Sequence, residues 1–280
     1  MYDRREKNVK IFKDTEQMCQ HDPELHEAIQ KSLERQQFFA HEVEMGHANK
    51  KACAGKVVVS GKKTIEASEV YAKQGKKVTV LNFASATSPG GGVRNGSSAQ
   101  EESICRCTTL YPCLMAEYNR YYESHQVMQN PLYNNDLIYT PAVQVFKSDS
   151  DFPELLQRSE WWEVDVITCA APNLRNMTKG EAIYYLGKNS TGDFWQDFKG
   201  ILKSRIRRIF DIAVGRCDVL ILGAFGCGAF RNPPQLVAEV FAELTEEYRI
   251  YFDVIEYAVF HMEHERENYE AFQEAMGRFI

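Results

Sequence analysis

The sequence predicts an α/β fold, a mixed and mainly parallel sheet sandwiched between helices, with an N-terminal helical extension. Three observations predict it. From Lys56 onward, short apolar runs alternate with segments of helical period. The runs are apolar throughout, as expected of strands covered on both faces. Two of them lead directly into glycine-rich stretches, and ligands of such sheets collect in loops beyond the carboxyl ends of strands.

The elements follow in order. Residues 22–45 read as a leading helix, with Asp22 as N-cap, Pro23 in the first helical position, and Leu25, Ile29 and Leu33 along one side. No linker, repeat or low-complexity tract sets this segment apart, so residues 1–50 are expected to pack as an extension on a main domain of residues 51–280. Residues 57–59 form a β-branched strand, 65–73 a helix, and 78–83 an apolar strand. After a loop, a long helix is expected from about residue 100 to 122, followed by strands at 138–140 and 142–146. The strand at 164–170 is broken by Pro172 and Asn173. A helix at 193–214, a strand at 219–224, a helix at 233–248, a strand at 254–260 and a helix at 268–279 complete the chain.

Bulk properties exclude several function classes. The chain has 280 residues, 44% hydrophobic and 26% charged, the composition of an ordinary globular protein. It contains no apolar run of membrane-spanning length, and the N-terminal stretch MYDRREKNVKIFKDTEQ is too charged for a secretory signal. A soluble, cytoplasmic protein is expected. Its eight cysteines then read as reduced, small apolar residues. No CxxC pair occurs, and the His261/His264 pair lacks the further ligands zinc requires, so neither a metal nor another cofactor is expected. A net charge of −6 disfavours nucleic acid as a partner. The basic run from Lys199 to Arg208 alternates with apolar residues at helical spacing and reads as a solvated helix face rather than a polymer track.

Two loops carry the chemistry. In the first, Ser85 leads to Gly90, Gly91 and Gly92 and then to Gln100, Glu101 and Glu102 at a helix start. Three glycines let the backbone meet a ligand closely and permit positive φ. Adjacent helix positions point about 100° apart, so the two glutamates are expected to do different jobs. Acidic residues at a helix start also have an ordinary reading, complementing the helix dipole. In the second loop, Gly223 to Asn232, the backbone at Gly226, Cys227, Gly228, Ala229 and Phe230 lies between a strand and a helix start, a setting suited to phosphate or to tight packing. It has neither the lysine and hydroxyl of a P-loop nor the dinucleotide-binding glycine spacing.

Taken together, GGG, seven intervening residues and QEE resemble the signature of poly(ADP-ribose) glycohydrolases. LNFASATSPGGGVRNGSSAQEESICRCTTLYPCL, CAAPN and GAFGCGAFRNPP are similar to the bacterial-type branch. The resemblance runs from about Val57 to Phe260. It implies a macrodomain-like fold that binds ADP-ribose in a cleft at the strand ends. It also implies Glu102 as catalytic acid–base, Glu101 and a nearby asparagine-type residue on the distal ribose, and Gly226 to Phe230 around the diphosphate. Gly90, Gly91, Gly92, Gln100 and Ser85 join the expected ADP-ribose contacts. Ser85 and Ser88 stand where relatives often carry asparagine, with Asn82 behind and Asn95 ahead, so the ribose-holding residue is left open among them. Phe260 either faces the adenine or, in the more ordinary reading, packs in the core.

The implied reaction is hydrolysis of the ribose–ribose O-glycosidic bond of poly(ADP-ribose), through an oxocarbenium-like transition state. Glu102 would give a proton to the leaving oxygen and then activate water. Cleavage from a polymer end is expected, because the loops converge on one terminal unit. The expected partners are poly(ADP-ribose), ADP-ribose and ADP-ribosylated proteins, with no membrane and no specific nucleic acid. The rivals are a mono-ADP-ribosyl hydrolase and a non-catalytic ADP-ribose-binding module, and the glutamate pair argues against the second.

Overall fold

The computed structural model describes residues 2–41, 54–186 and 190–280. One seven-stranded sheet organises them, in the order β1-β4-β5-β3-β6-β7-β2. The strands are β1 (Gln37–Phe39), β2 (Lys56–Ser60), β3 (Val78–Phe83), β4 (Leu137–Val145), β5 (Trp162–Cys169), β6 (Val219–Leu222) and β7 (Val254–Ala258). β5, β3, β6, β7 and β2 run parallel, and β4 and β1 add antiparallel strands at one edge. This is the mixed, mainly parallel sheet between helices that the sequence predicts.

Every residue of β6 is buried, and they divide between two cores. Leu220 and Leu222 pack under α8 (Phe194–Ala213), α9 (Pro234–Tyr248) and α10 (Glu267–Met276), while Val219 and Ile221 pack with Ile65 and Ala67 of α3 (Thr64–Ala72). Fully burying such a side chain stabilises by roughly 1.5–3 kcal/mol, so the strand ends form a fixed frame for the loops they launch.

Four expectations need correction. The leading helix, α2 (Pro23–Arg35), is capped as expected by Asp22, whose carboxylate accepts the Glu24 and Leu25 N–H groups. It ends at Arg35, however, because the chain then turns extended and pairs with β4 as β1; residues 42–45 lie outside those described. A further helix, α1 (Tyr2–His21), precedes it and was not anticipated.

The two short strands around Pro141 are one strand, β4. Its register shifts between Thr140 and Val143, with Ala142 at φ 53 and its N–H held by Asp165 at 2.9 Å. The proline has no N–H to give the ladder, and a bulge absorbs the gap.

The long helix after the first loop is broken. α4 (Gln100–Cys107) stops at Thr108, which is extended and bridges to Val145. α5 (Leu110–Ala116) then begins two residues before Pro112. A continuous helix would set the Pro112 ring against the carbonyl four residues back, whereas a proline in a first turn costs nothing. π-helical Tyr118–Glu123 and a short α6 (Ser124–Met128) complete the segment. α7 (Lys179–Leu186) is also additional.

The basic run on α8 is not simply solvated. Lys199, Lys203 and Arg207 form a ladder with Glu239, Glu243 and Glu247 of α9, at 2.6–2.8 Å. Arg205 and Arg208 are buried and donate to backbone carbonyls. These cations are used within the fold.

Candidate active site

A cleft of about 470 Å³ opens across the carboxyl ends of the five parallel strands. Phe83 ends β3 and Ala84 follows it, Ala171 follows β5, Gly226 and Phe230 follow β6, Phe260 follows β7, and Lys63 follows β2. The strand-end position is the one a parallel sheet favours for a ligand.

The second glycine-rich loop forms one wall. Its turns consume the N–H groups of Phe225, Cys227, Arg231 and Asn232, which donate to Gly223, Ala224, Gly228 and Gly226 carbonyls. Among the described residues, the N–H groups of Gly226, Gly228, Ala229 and Phe230 have no such partner, and all four residues line the cleft. Successive unpaired N–H groups make an anion-binding nest. Cys227 differs from its neighbours: its Sγ turns back to the Phe225 carbonyl, and it does not line the cleft. No residue of α9 lines the cleft either, so the nest belongs to the loop and not to the helix start. Gly226 adopts φ 77, and a side chain there would collide with Asn232 and Ala171. At Gly228 a Cβ would meet nothing within 4 Å. Gly228→Val therefore should fold normally while placing a branched side chain before the nest. Calorimetry with ADP-ribose should show clearly weaker binding, and unchanged affinity would place the anion elsewhere.

The first loop and α4 bring the two carboxyl groups together. Gly91 has φ 58, and a Cβ there would lie 2.6 Å from Glu102 Oε1 and 3.0 Å from Glu101 Oε2. The side chains thus flank one glycine, although they leave the helix in different directions. Neither caps its own helix. Glu102 accepts the Gly92 N–H at 2.8 Å through Oε1, and Glu101 accepts the Ser85 N–H at 2.7 Å through Oε2. Both are buried, at 3% and 7% exposure for Glu101 and Glu102, and Glu102 Oε2 is a buried oxygen with no partner. Burial first, and then the charge of Glu102, push Glu101 up to about 8, against the N–H donors of Ser85 and Gly90 and the Asn82 amide. Glu101 therefore keeps its proton at neutral pH.

The remaining expected residues divide. Gln100, Gly226, Gly228, Ala229, Phe230 and Phe260 line the cleft. Gly90, Gly91, Gly92, Ser85, Glu101 and Glu102 lie beside its Ala84 end rather than on its wall. The Gln100 amide is occupied, taking the Phe83 N–H at 2.8 Å and donating to Leu81 O and Thr64 Oγ1, so it staples α4 to β3. Ser85 Oγ accepts the Thr87 and Ser88 N–H groups and shapes the turn. Asn82 is the asparagine beside the pair: its Nδ2 lies 3.5 Å from Glu101 Oε1, and its Oδ1 is buried without a partner. Phe260 is not core. It is 50% exposed, with the Lys63 ammonium 5.3 Å from its ring.

Sequence reasoning missed the outer wall, supplied by Arg4 and Asn8 of α1, Lys63, Ser103, Arg106 and the 149–151 turn. α1 also clamps the first loop and α4, where Asn8 donates to Gly96 O and Thr15 to Arg106 O. Asp149 ties Ser103 of α4 to the Ile65 N–H of α3. His261 stacks on Tyr269, and His264 is exposed beside Glu265, so the histidine pair does not converge.

Comparison with known proteins decides the family. Residues 6–148 match the microbial-type PARG catalytic domain, half of the chain. The chain belongs to the microbial-type PARG family. Solved structures of that family extend the likeness past the second loop. Poly(ADP-ribose) glycohydrolase from Thermomonospora curvata is 27% identical at TM-score 0.81, covering 96% of this chain and 98% of that one. The same enzyme bound to the inhibitor ADP-HPD is 26% identical at TM-score 0.77, covering 95% and 98%. Poly(ADP-ribose) glycohydrolase from Deinococcus radiodurans in complex with ADP-ribose is 29% identical at TM-score 0.77, covering 90% and 98%. No curated protein sequence matches the chain. Among the described residues, no helix is long and apolar enough to cross a membrane.

Proposed function

We propose that this chain is a macrodomain-class, exo-acting poly(ADP-ribose) glycohydrolase with Glu102 as acid–base. The observation that carries the reading is the convergence of two buried carboxyl groups on Gly91, beside a strand-end cleft whose other wall is an anion nest. The nest takes the diphosphate and Phe260 the adenine, which leaves the distal ribose at the Ala84 end, next to the glutamates. ADP-ribose in the Deinococcus relative, and the inhibitor in the Thermomonospora one, support the same ligand class here.

In this scheme Gly92 fixes Glu102 through one carboxyl oxygen, and the unpartnered oxygen serves the reaction. Departure of the 2′-oxygen from the anomeric carbon leaves an oxocarbenium-like centre. Glu102 protonates that oxygen and then takes a proton from the attacking water. Glu101 and Asn82 hold the ribose hydroxyls, and the diphosphate lies where it can stabilise the developing cation. The polymer is bound by its terminal unit and shortened from that end. We also infer that the enzyme works in the cytoplasm on ADP-ribosylated proteins, a setting that suits free thiols such as the six buried cysteines among the described residues.

Nothing in this scheme calls for a metal. Protein treated with EDTA and dialysed should release ADP-ribose from polymer at the untreated rate. Loss of activity restored by one divalent ion would replace the carboxyl mechanism with a metal-assisted one.

A further inference from the structure

We propose that Arg175 and Arg231 form a subsite for the diphosphate of the polymer unit on the far side of the scissile bond. The inference rests on the glycohydrolase reading and adds the leaving half of the substrate to it.

Arg231 ends the second glycine-rich loop in an unusual conformation. Its φ is 58, a left-handed value that costs a side-chain-bearing residue free energy, and its N–H closes a turn onto Gly228 O at 3.1 Å. Arg175 sits on the turn after β5, which is joined to this loop by the Leu174 N–H donating to Phe230 O at 2.9 Å. The two arginines thus follow directly on the two residues of one hydrogen bond. Both are exposed, and among the described residues neither guanidinium has a partner. The contrast with α8 is informative, because Lys199, Lys203, Arg205, Arg207 and Arg208 are all engaged.

Their position selects the leaving side. From Phe230 contacts continue outside the cleft wall to the Tyr133 ring at 6.2 Å and then to the buried His125 at 5.7 Å, and the next residue, Gln126, donates to Thr87 O at 2.7 Å, just before the glycine triplet. Those contacts link the nest loop to the loop that carries the glycine triplet, whereas Lys63 and Phe260 lie at the adenine end. A polymer leaving the distal ribose on that side passes the exposed Arg175 and Arg231. The departing adenosine carries its own diphosphate, and guanidinium groups suit phosphate oxygens.

The test compares two substrates: poly(ADP-ribose), and ADP-ribose bearing a p-nitrophenoxy group at its anomeric carbon, which has no leaving-side phosphate. The variant is Arg175→Ala with Arg231→Gly, since glycine accepts the left-handed backbone. On polymer, KM should rise about 10-fold with kcat little changed, in line with losing charge-assisted contacts. Loss of two phosphate contacts should also reduce the slope of log KM against log salt by about 1.4. The nitrophenyl substrate should be cleaved as by the parent protein, and Arg175→Lys with Arg231→Lys should recover part of the polymer KM. An unchanged polymer KM would overturn the subsite, as would an equal loss on both substrates, which would move the arginines to the bound ADP-ribose itself. A parent protein that leaves polymer intact would overturn the glycohydrolase reading and the subsite with it.

Discussion

Glu102→Gln should lower the rate of ADP-ribose release from polymer by at least ~100-fold, the lower range for removing a general acid–base. The amide keeps an oxygen for the Gly92 N–H, so the loop and the ribose site hold their shape. ADP-ribose affinity should therefore persist while turnover collapses, which separates a chemical role from a structural one. The parent protein adds a pH signature. Burial and its neighbour's charge push Glu101 up to about 8, so Glu101 is protonated below that pH and charged above it. Turnover should fall as pH rises through about 8, because Glu101 then loses the proton it can donate to a ribose hydroxyl. A Glu102→Gln variant with near-normal turnover would remove Glu102 from the mechanism.

Gly91→Ala should be almost as damaging, although it removes no functional group. The methyl would lie 2.6 Å from Glu102 Oε1 and 3.0 Å from Glu101 Oε2, so both carboxyl groups must shift. The left-handed φ of 58 adds about 1–2 kcal/mol of backbone cost for any residue with a Cβ. We expect kcat to fall by on the order of 100-fold, as for losing a well-placed acid–base. The melting temperature should drop by only a few degrees in a chain of this size. The nest is formed by the other loop, so ADP-ribose binding should weaken far less than turnover. Normal kcat in a folded Gly91→Ala protein would mean that the carboxyl pair does not need its present position.

The sheet and the helices α8 and α9 that cover it were legible because their apolar residues follow a period that survives in the fold. α1 was not. Its buried face is Asn8, Phe12, Thr15 and Cys19, and two of those four are polar because they reach Gly96, Arg106 and Lys147 instead of a greasy core. A periodicity argument has little to read there. The break at Thr108 was available in principle, since Pro112 cannot sit inside a long helix, but its exact place depends on the Thr108–Val145 bridge, a tertiary contact.

The site divides in the same way. The glycines and glutamates announce themselves by spacing. Asn82 looked like a strand residue set too far back, and only the packing of α4 across β3, held by the Gln100 staple, brings it to Glu101. Gln100 itself shows the converse: a residue of the signature whose amide is spent on the scaffold. Phe260 was ambiguous because an aromatic at a strand end suits a core and a ligand equally. Its exposure resolves that ambiguity against the core.

The central claim is that this chain cuts the bond between riboses, one terminal unit at a time. Separating the early products of purified protein on long poly(ADP-ribose) by length, beside a mono-ADP-ribosylated protein under the same conditions, tests it most directly. The account predicts mostly free ADP-ribose from the first time points, with the mono-modified protein left intact because its acceptor side chain is a different leaving group. Early oligomers of intermediate length would contradict the end-on reading, and complete release from the mono-modified protein would contradict the choice of bond.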